Sequence, residues 1–168
     1  MNIVETERLN LRRLTVDDSS FILTLLNDPS FKQNIGDRGV RSLADARLYI
    51  LNGPAASYER NGFGLYLVEL KNGRIPIGIC GLVKRPFLSD ADIGYAFLPA
   101  FWSKGYAVES AAAVKEYAAN HLGMKRVLAI VNPDNASSIR VLEKIGLTYK
   151  HMLRLPDSQS EVQLYTSK

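Results

Sequence analysis

Residues 91–122 read ADIGYAFLPAFWSKGYAVESAAAVKEYAANHL and contain, one after the other, the periodicities of a strand and of a helix. From residue 92 to 98 every second side chain shares a face, which predicts a strand, and Pro99 removes a ladder donor and ends it. From residue 104 to 122 apolar side chains recur at helical spacing until Gly123, which predicts a helix. The stretch therefore predicts a strand–turn–helix unit.

The turn that opens this helix is a candidate anion site. The first N–H groups of a helix have no partner inside the helix and lie at its positive end, so a phosphate is favoured there. Gly105 and Ala107 are small enough to let a phosphate approach the backbone, and Lys104 adds a positive charge. A turn of small residues can also serve only to pack the helix on its strand, and this alternative stays open.

A longer string from residue 92 to 109, D-I-G-Y-x-x-x-P-x-x-W-x-K-G-Y-A-x-E, resembles the acetyl-CoA-binding segment of the GNAT superfamily of N-acetyltransferases. It is similar in particular to the branch that contains the ribosomal-protein N-terminal acetyltransferases. The family's phosphate loop reads Q/R-x-x-G-x-G/A, and Trp102 occupies the Q/R position in this chain. The resemblance implies that the pyrophosphate of acetyl-CoA is bound by the backbone amides and the lysine of Lys104, Gly105, Tyr106 and Ala107.

A second motif, NPDNASSIRVLEKIGL at residues 132–147, predicts a helix that follows Asn135 as N-cap and ends before Gly146. It resembles the family element N-x-x-S-x-R-V-L-E-K-x-G-F. The resemblance implies that Asn135 hydrogen-bonds the pantetheine arm of CoA and that Ser138 lies near the thioester sulfur. Without the resemblance, Asn135 is a helix cap and Ser138 an exposed helix residue. Many family members carry a tyrosine as general acid where this chain has Leu142.

The rest of the chain completes an α/β pattern. The sequence predicts a first strand in 5–14, helices at 15–26, 42–52 and 56–60, strands at 64–70 and 75–83 around an Asn72-Gly73 hairpin turn, a strand at 127–131, a helix at 136–145, and strands at 148–153 and 162–166. The opening T-E-R-L-x-L-R-x-L-T-x-x-D also resembles the family. The implied fold is a GNAT-like mixed, largely antiparallel sheet with helices on both faces. Its fourth and fifth strands, 91–98 and 127–131, are parallel and splay apart around CoA.

Composition sets the remaining limits. The chain has 168 residues with 46% hydrophobic content, which predicts a single domain spanning 1–168. A net charge of +4 favours acidic ligands such as the CoA 3′-phosphate but is too small to indicate nucleic-acid binding. One cysteine and two histidines leave too few ligands for a zinc site, so no metal is expected. No apolar run reaches 18 residues and the N-terminus is highly charged, which favours a cytoplasmic protein without a membrane partner.

The resemblance implies that an amine attacks the acetyl thioester directly. Such a reaction needs an N–H donor to the carbonyl, an acceptor for the ammonium proton and a donor to the thiolate. We assign the carbonyl donors to the backbone at Phe97 and Leu98, where a splayed strand has free N–H groups. Asp92 is the candidate proton acceptor, the alternative being an exposed residue at a strand start, and Ser138 is the candidate thiolate donor. Glu109 is interpreted as a complement to the helix dipole.

Residues 30–40 form a polar, glycine-rich segment that predicts an irregular connection. It is either a solvated linker or, as the family places it, a wall of the acceptor site, which would make Asn34, Asp37 and Arg38 substrate-facing. The favoured acceptor of the acetyl group is the α-amine of a peptide or protein. A small amine such as a polyamine, amino acid or antibiotic is the alternative, and a non-catalytic acyl-CoA-binding module is another. The sequence leaves open whether the protein is a monomer or a homodimer.

Overall fold

The computed structural model describes residues 2–168, so Met1, part of the expected domain, lies outside the described residues. The strands are β1 (Asn2–Glu5), β2 (Leu9–Arg13), β3 (Leu65–Leu70), β4 (Ile75–Val83), β5 (Asp92–Phe97), β6 (Leu128–Val131), β7 (Thr148–Arg154) and β8 (Glu161–Thr166). The helices are α1 (Ser19–Asn27), α2 (Pro29–Asn34), α3 (Leu43–Ile50), α4 (Ala56–Asn61), α5 (Tyr106–His121) and α6 (Ala136–Lys144). Within residues 2–168, no helix combines the length and the apolar character needed to cross a membrane.

All eight strands belong to one sheet in the order β1-β2-β3-β4-β5-β6-β8-β7. The pairs are antiparallel except β5 with β6, which are parallel as predicted. These two strands share a single residue pair, Asp92 with Leu128, next to a hydrogen bond from Leu128 N–H to the Ala91 carbonyl (2.9 Å). Beyond this point β6 pairs only with β8, so a gap opens along the later half of β5. The predicted splay is confirmed.

The two faces of the sheet carry separate apolar cores, which confirms helices on both faces. One core, under α1, α2 and α3, includes Ile22, Leu25, Phe31, Ile50, Leu67 and Ile79. The other, under α5 and α6, includes Tyr66, Cys80, Ala111, Val114, Leu142 and Tyr165. Because successive side chains of a strand point to opposite faces, β5 presents Tyr95 and Phe97 to the α5 side and Ala96 to the α1 side.

Lys115 interrupts the apolar stripe of α5 and has a structural use there. Its Nζ donates a hydrogen bond of 2.8 Å to the carbonyl of Ile145, one of the unpaired carbonyls at the end of α6. Gly146 follows with φ +94°, as expected of the residue that closes a helix. The contact fixes α6 against α5 and thereby fixes the position of the N-terminus of α6 beside the gap.

The segment 30–40 is less irregular than the sequence predicts, because α2 occupies Pro29–Asn34. The Asp28 side chain accepts a hydrogen bond from Ser30 N–H (3.0 Å) and Pro29 takes the first helical position, so the Asp-Pro pair that ends α1 also begins α2. Only residues 35–42 lack regular structure before α3. The segment therefore offers a fixed helix end and a short loop.

Three other predictions need correction. The N-terminal segment forms two strands, β1 and β2, where one was predicted. The predicted two-residue turn at Asn72-Gly73, which needs positive φ at both residues, is a four-residue loop between the paired Leu70 and Ile75, and its positive φ values lie at Gly73 and Arg74. The helix predicted to end at 52 continues as a π-helical turn, Leu51–Ala55, which carries Pro54 and joins α3 to α4.

Candidate active site

The gap beside β5 exposes backbone groups of that strand. Leu98 N–H donates to the Ile77 carbonyl of β4 (3.0 Å), so the predicted free N–H at Leu98 is wrong. Backbone N–H groups alternate in direction along a strand, and therefore those of Phe97 and Tyr95 point away from β4 toward the gap. The Phe97 N–H therefore stays a candidate donor to the thioester carbonyl, and the Tyr95 N–H, which the sequence reasoning missed, is a second candidate.

Trp102 closes the end of this edge. Its indole Nε1 donates to the Phe97 carbonyl (2.8 Å), although the side chain is otherwise half exposed. A single 3₁₀ turn, Pro99–Phe101, connects the strand to this residue. At the position where the family's loop has Gln or Arg, this chain therefore has a tryptophan that holds the loop against the strand, and this position carries no cation.

The predicted phosphate turn has the geometry of a helix N-terminus that is open to a ligand. Gly105 adopts φ +84° and precedes α5, whose first hydrogen bond runs from Glu109 N–H to the Gly105 carbonyl (3.0 Å). The N–H groups of residues 106–108 therefore have no carbonyl partner inside the helix. The structure brings Lys104, Gly105, Tyr106 and Ala107 together in one exposed or half-exposed turn.

Glu109 in the first turn of α5 is held by the N-terminal arm of the chain. It accepts hydrogen bonds from the Arg8 side chain (2.7 Å), from Arg8 N–H (3.0 Å) and from the Thr6 hydroxyl. Burial opposes ionisation of this carboxyl, but the hydrogen bonds from Thr6 and Arg8 outweigh it and lower its pKa. Glu109 is thus an ion-pair partner at the phosphate turn, and Arg8 was not predicted to be there.

The start of α6 lies on the other side of the gap. The Asn135 amide oxygen accepts from Ser138 N–H (3.3 Å), so Asn135 is the N-cap, as the residues themselves predicted. The Ser138 hydroxyl lies 2.7 Å from that of Tyr95 on β5, across the gap. Burial raises the pKa of Tyr95 to about 12, with the Ser138 hydrogen bond acting the other way, so the phenol keeps its proton at neutral pH. Leu142, at the family's tyrosine position, is 3% exposed and belongs to the core.

Asp92 stands at the closed end of the gap, in the single pair that joins β5 to β6. Its residue is 1% exposed, so the alternative of an exposed residue at a strand start is wrong. Arg85 Nε donates to it (2.9 Å), yet burial is the larger influence and raises the pKa of Asp92 to about 6. Tyr95 lies three positions further along the strand, at about 10 Å, and the Asp92 side chain points to the opposite face of the sheet. The structure therefore does not bring Asp92 into contact with Ser138.

The expected acceptor residues are divided among different surroundings. The Asn34 carbonyl, at the end of α2, accepts from the side chain of Asn132 (3.2 Å), which directly follows β6 at the open end of the gap. Asp37 instead forms an ion pair with Arg41, and this partner lowers the pKa of Asp37 well below its usual range. Arg38 lines a shallow groove of about 340 Å³ beside α3. Of these three residues, only Asn34 has a hydrogen bond to a residue at the open end of the gap, and it uses its backbone carbonyl.

The split strand pair and the helix N-terminus beside it indicate a class of protein. Comparison with known proteins assigns that class. The acetyltransferase (GNAT) domain family model matches residues 8–148, and the chain belongs to that family. It is an acetyl-CoA-dependent acyltransferase. YoaA, an uncharacterized N-acetyltransferase of Bacillus subtilis (strain 168), is 30% identical over 154 residues, which cover 90% of this chain and 86% of that protein.

Two solved structures have the same fold at lower identity. RimL, a ribosomal alpha-N-protein acetyltransferase in complex with coenzyme A, has a TM-score of 0.84 at 19% identity, covering 99% of this chain and 97% of the other. A chimera of the spermidine N-acetyltransferase SpeG from Vibrio cholerae and hSSAT has a TM-score of 0.76 at 18% identity, covering 95% and 94%. The fold is therefore shared by acetyltransferases of different acceptors.

Gly105 provides the first test of the phosphate turn. A valine there is strained at φ +84° and its Cβ would lie 3.3 Å from Arg8 Nη2, so Gly105→Val is expected to weaken acetyl-CoA binding by about 10-fold or more. Gly123→Val is the matched control, because φ is +66° there and nothing lies within 4 Å of an added Cβ. Both variants lose thermal stability, but only the first should lose affinity in titration calorimetry. Equal affinity in the two folded variants would remove the turn from the CoA site.

Proposed function

We propose that the protein transfers the acetyl group of acetyl-CoA to the α-amine of a peptide or protein N-terminus. The observation that carries this choice of acceptor is that the two carboxylates predicted from the sequence for the site, Asp37 and Asp92, both have arginine partners. Asp37 is paired with Arg41, and Asp92 is buried against Arg85. A polyamine carries several ammonium groups and needs unpaired carboxylates to bind them, whereas a single α-amine next to peptide groups does not.

The two faces of the sheet support approach of the two substrates from opposite sides. Ser138 and Tyr95 lie on the side of α5 and α6, next to the phosphate turn at the start of α5. Asn34 reaches the gap from the region of α1 and α2, and the Asp92 side chain points to the same face. In this arrangement acetyl-CoA enters from one face, the amine enters from the other, and they meet in the gap.

The chemistry then follows from groups already in place. The N–H groups of Phe97 and Tyr95 donate to the thioester carbonyl oxygen as it becomes negative. The neutral amine nitrogen attacks the carbonyl carbon, the new C–N bond forms and the C–S bond breaks. The ammonium proton leaves through water to Asp92, and the departing thiolate takes a proton from Ser138. Because the Tyr95 hydroxyl is hydrogen-bonded to that of Ser138, it can return a proton to Ser138. Exchange of protons with solvent then restores Tyr95 and Asp92 to their starting states.

A non-catalytic acyl-CoA-binding module was an alternative because this chain lacks the family tyrosine at Leu142. The hydroxyl pair of Ser138 and Tyr95 answers that objection, since it supplies a proton donor beside the expected sulfur position. A small-molecule amine remains the competing acceptor, because the spermidine enzyme has the same fold.

The acceptor is tested by a substrate panel. N-terminal peptides, free amino acids, polyamines and aminoglycosides are compared by kcat/KM with acetyl-CoA, and release of free CoA is measured for each. A peptide is expected to give the highest value. A polyamine or aminoglycoside that exceeds every peptide by about 100-fold, or about 2.7 kcal/mol of transition-state discrimination, would end the peptide proposal. If none of these amines causes release of free CoA, the result would favour the non-catalytic module.

Ser138 is tested by its effect on turnover. Ser138→Ala is expected to lower kcat by about 10-fold or more while the KM for acetyl-CoA stays within a few-fold, because the hydroxyl acts on the leaving thiolate and not on binding. Ser137→Ala is the matched control, since Ser137 is an exposed neighbour in the same helical turn. A Ser138 variant that turns over as fast as the Ser137 variant would leave protonation of the thiolate to water.

Asp92 is tested by pH. It accepts a proton only when ionised, and with a pKa of about 6 it loses that ability as the pH falls through 6, so kcat/KM should decline below this pH. Asp92→Asn is expected to lower kcat by about 10-fold at neutral pH, with recovery at high pH, where hydroxide can take the proton. Asp90→Asn, which removes a half-buried carboxylate paired with Arg126, is the control. If kcat/KM of Asp92→Asn declines at acidic pH as it does in the wild type, the assignment of Asp92 as proton acceptor is contradicted.

A further inference from the structure

We propose that Arg8, which comes from the turn between β1 and β2, is an acetyl-CoA-binding residue that supplies the phosphate-binding cation missing at Trp102. The inference rests on the proposed location of the pyrophosphate at the turn 104–107. It adds a residue that lies almost a hundred positions earlier in the chain than that turn.

Arg8 contacts three consecutive residues of the turn. Its Nη1 donates to the Lys104 carbonyl (3.0 Å), its Nη2 lies 3.3 Å from the position of a Cβ on Gly105, and its guanidinium carbon lies 4.4 Å from the centre of the Tyr106 ring. These contacts place the cation against the backbone segment whose N–H groups have no partner inside the helix and are proposed to bind the phosphate. They also restrict its position, because the guanidinium lies over the ring.

The side chain keeps donors for a ligand. A guanidinium has five N–H groups, of which one is used by Glu109 and one by the Lys104 carbonyl. The Arg8 side chain is 42% exposed, so the remaining N–H groups are open to solvent on the turn. A planar guanidinium with adjacent donors can bind two phosphate oxygens at once. The flexible Lys104 ammonium has no such pair of fixed donors and acts on a phosphate as a point charge.

Arg8 also offsets a negative charge that would otherwise oppose the ligand. Glu109 is ionised in the first turn of the helix, within the region where the phosphate is proposed to bind. The Arg8 Nε donates to it at 2.7 Å and neutralises it. Removing Arg8 therefore has two consequences for phosphate binding, since a donor is lost and the Glu109 carboxylate is left without its arginine.

This charge arrangement distinguishes ligand binding from a purely structural latch. If Arg8 only fastens the N-terminal arm to α5, losing either partner should be equally harmful, and losing both should be no better. If Arg8 binds phosphate, Glu109→Gln should restore part of the affinity that Arg8→Ala loses, because the uncompensated carboxylate is gone.

The experiment measures CoA affinity by titration calorimetry for Arg8→Ala, Glu109→Gln and the double variant. Arg8→Ala is expected to weaken binding by about 10-fold or more, and the double variant to bind about 3-fold or more tighter than Arg8→Ala. Arg13→Ala is the matched control: Arg13 also stacks on a tyrosine, Tyr58 at 5.0 Å, but belongs to the far end of β2. It should leave CoA affinity unchanged. If Arg8→Ala does not fold, Arg8→Lys, which keeps the charge without the fork, should still weaken binding by about 3-fold.

A truncated substrate gives the second measurement. S-Acetylpantetheine lacks the pyrophosphate, so the loss of kcat/KM in Arg8→Ala should be about 10-fold with acetyl-CoA and below about 2-fold with S-acetylpantetheine. Equal losses with both, or wild-type CoA affinity in folded Arg8→Ala, would overturn the proposal. Calorimetry with CoA needs no acceptor amine, and failure of the proposed acceptor is therefore distinguished from failure of this site.

Discussion

The structure depends on one constraint, the early end of pairing between β5 and β6. β6 is paired with β8 along its whole length, but after the pair of Asp92 with Leu128 it no longer pairs with β5, which leaves the N–H groups of Tyr95 and Phe97 on an edge inside the sheet. Such groups need partners. The indole N–H of Trp102 is the partner of a carbonyl on this edge, that of Phe97, and closes the edge at its far end. The N–H groups that remain face the gap, and in an acetyl-CoA-dependent enzyme the amide-bearing arm and thioester of the cofactor are suitable partners for them.

The gap is kept at its width by contacts at its borders. Pro133 directly follows Asn132 and lacks an N–H donor, so it cannot add a ladder hydrogen bond after the end of β6. Asn132 is bonded to the end of α2, and Lys115 fastens the end of α6 to α5. These contacts hold the segment that precedes the helix carrying Ser138 and the far end of that helix, and the Ser138 hydroxyl lies 2.7 Å from that of Tyr95.

The sequence predicted what local patterns encode and missed what depends on register and long-range pairing. Alternation and helical spacing located the strands and helices, and Asn135 was identified as a cap because capping is decided within four residues. The direction of an N–H group depends on strand register, so Leu98 was assigned wrongly and Tyr95 was not considered. Arg8 and Glu109 are 101 residues apart, and no periodicity links them, although each belongs to a motif that was noticed. The sequence predicted the end of the helix at 15–26 but not the start of α2 at Pro29, since an Asp-Pro pair can both end one helix and begin another.

Glu109 and Asp92 lie near opposite ends of the strand–helix unit, and their surroundings change their acidity in opposite directions. Hydrogen bonds from Thr6 and Arg8 lower the pKa of Glu109, which makes it a weak base and a permanent charge to be offset. Burial raises the pKa of Asp92 to about 6 in spite of Arg85, close to the pH at which a general base both stays ionised and binds a proton well. Two carboxylates whose pKa values are shifted in opposite directions suit different tasks. The proposed division follows from it: Glu109 orders the cation at the phosphate turn, and Asp92, on the face from which the amine arrives, receives the proton.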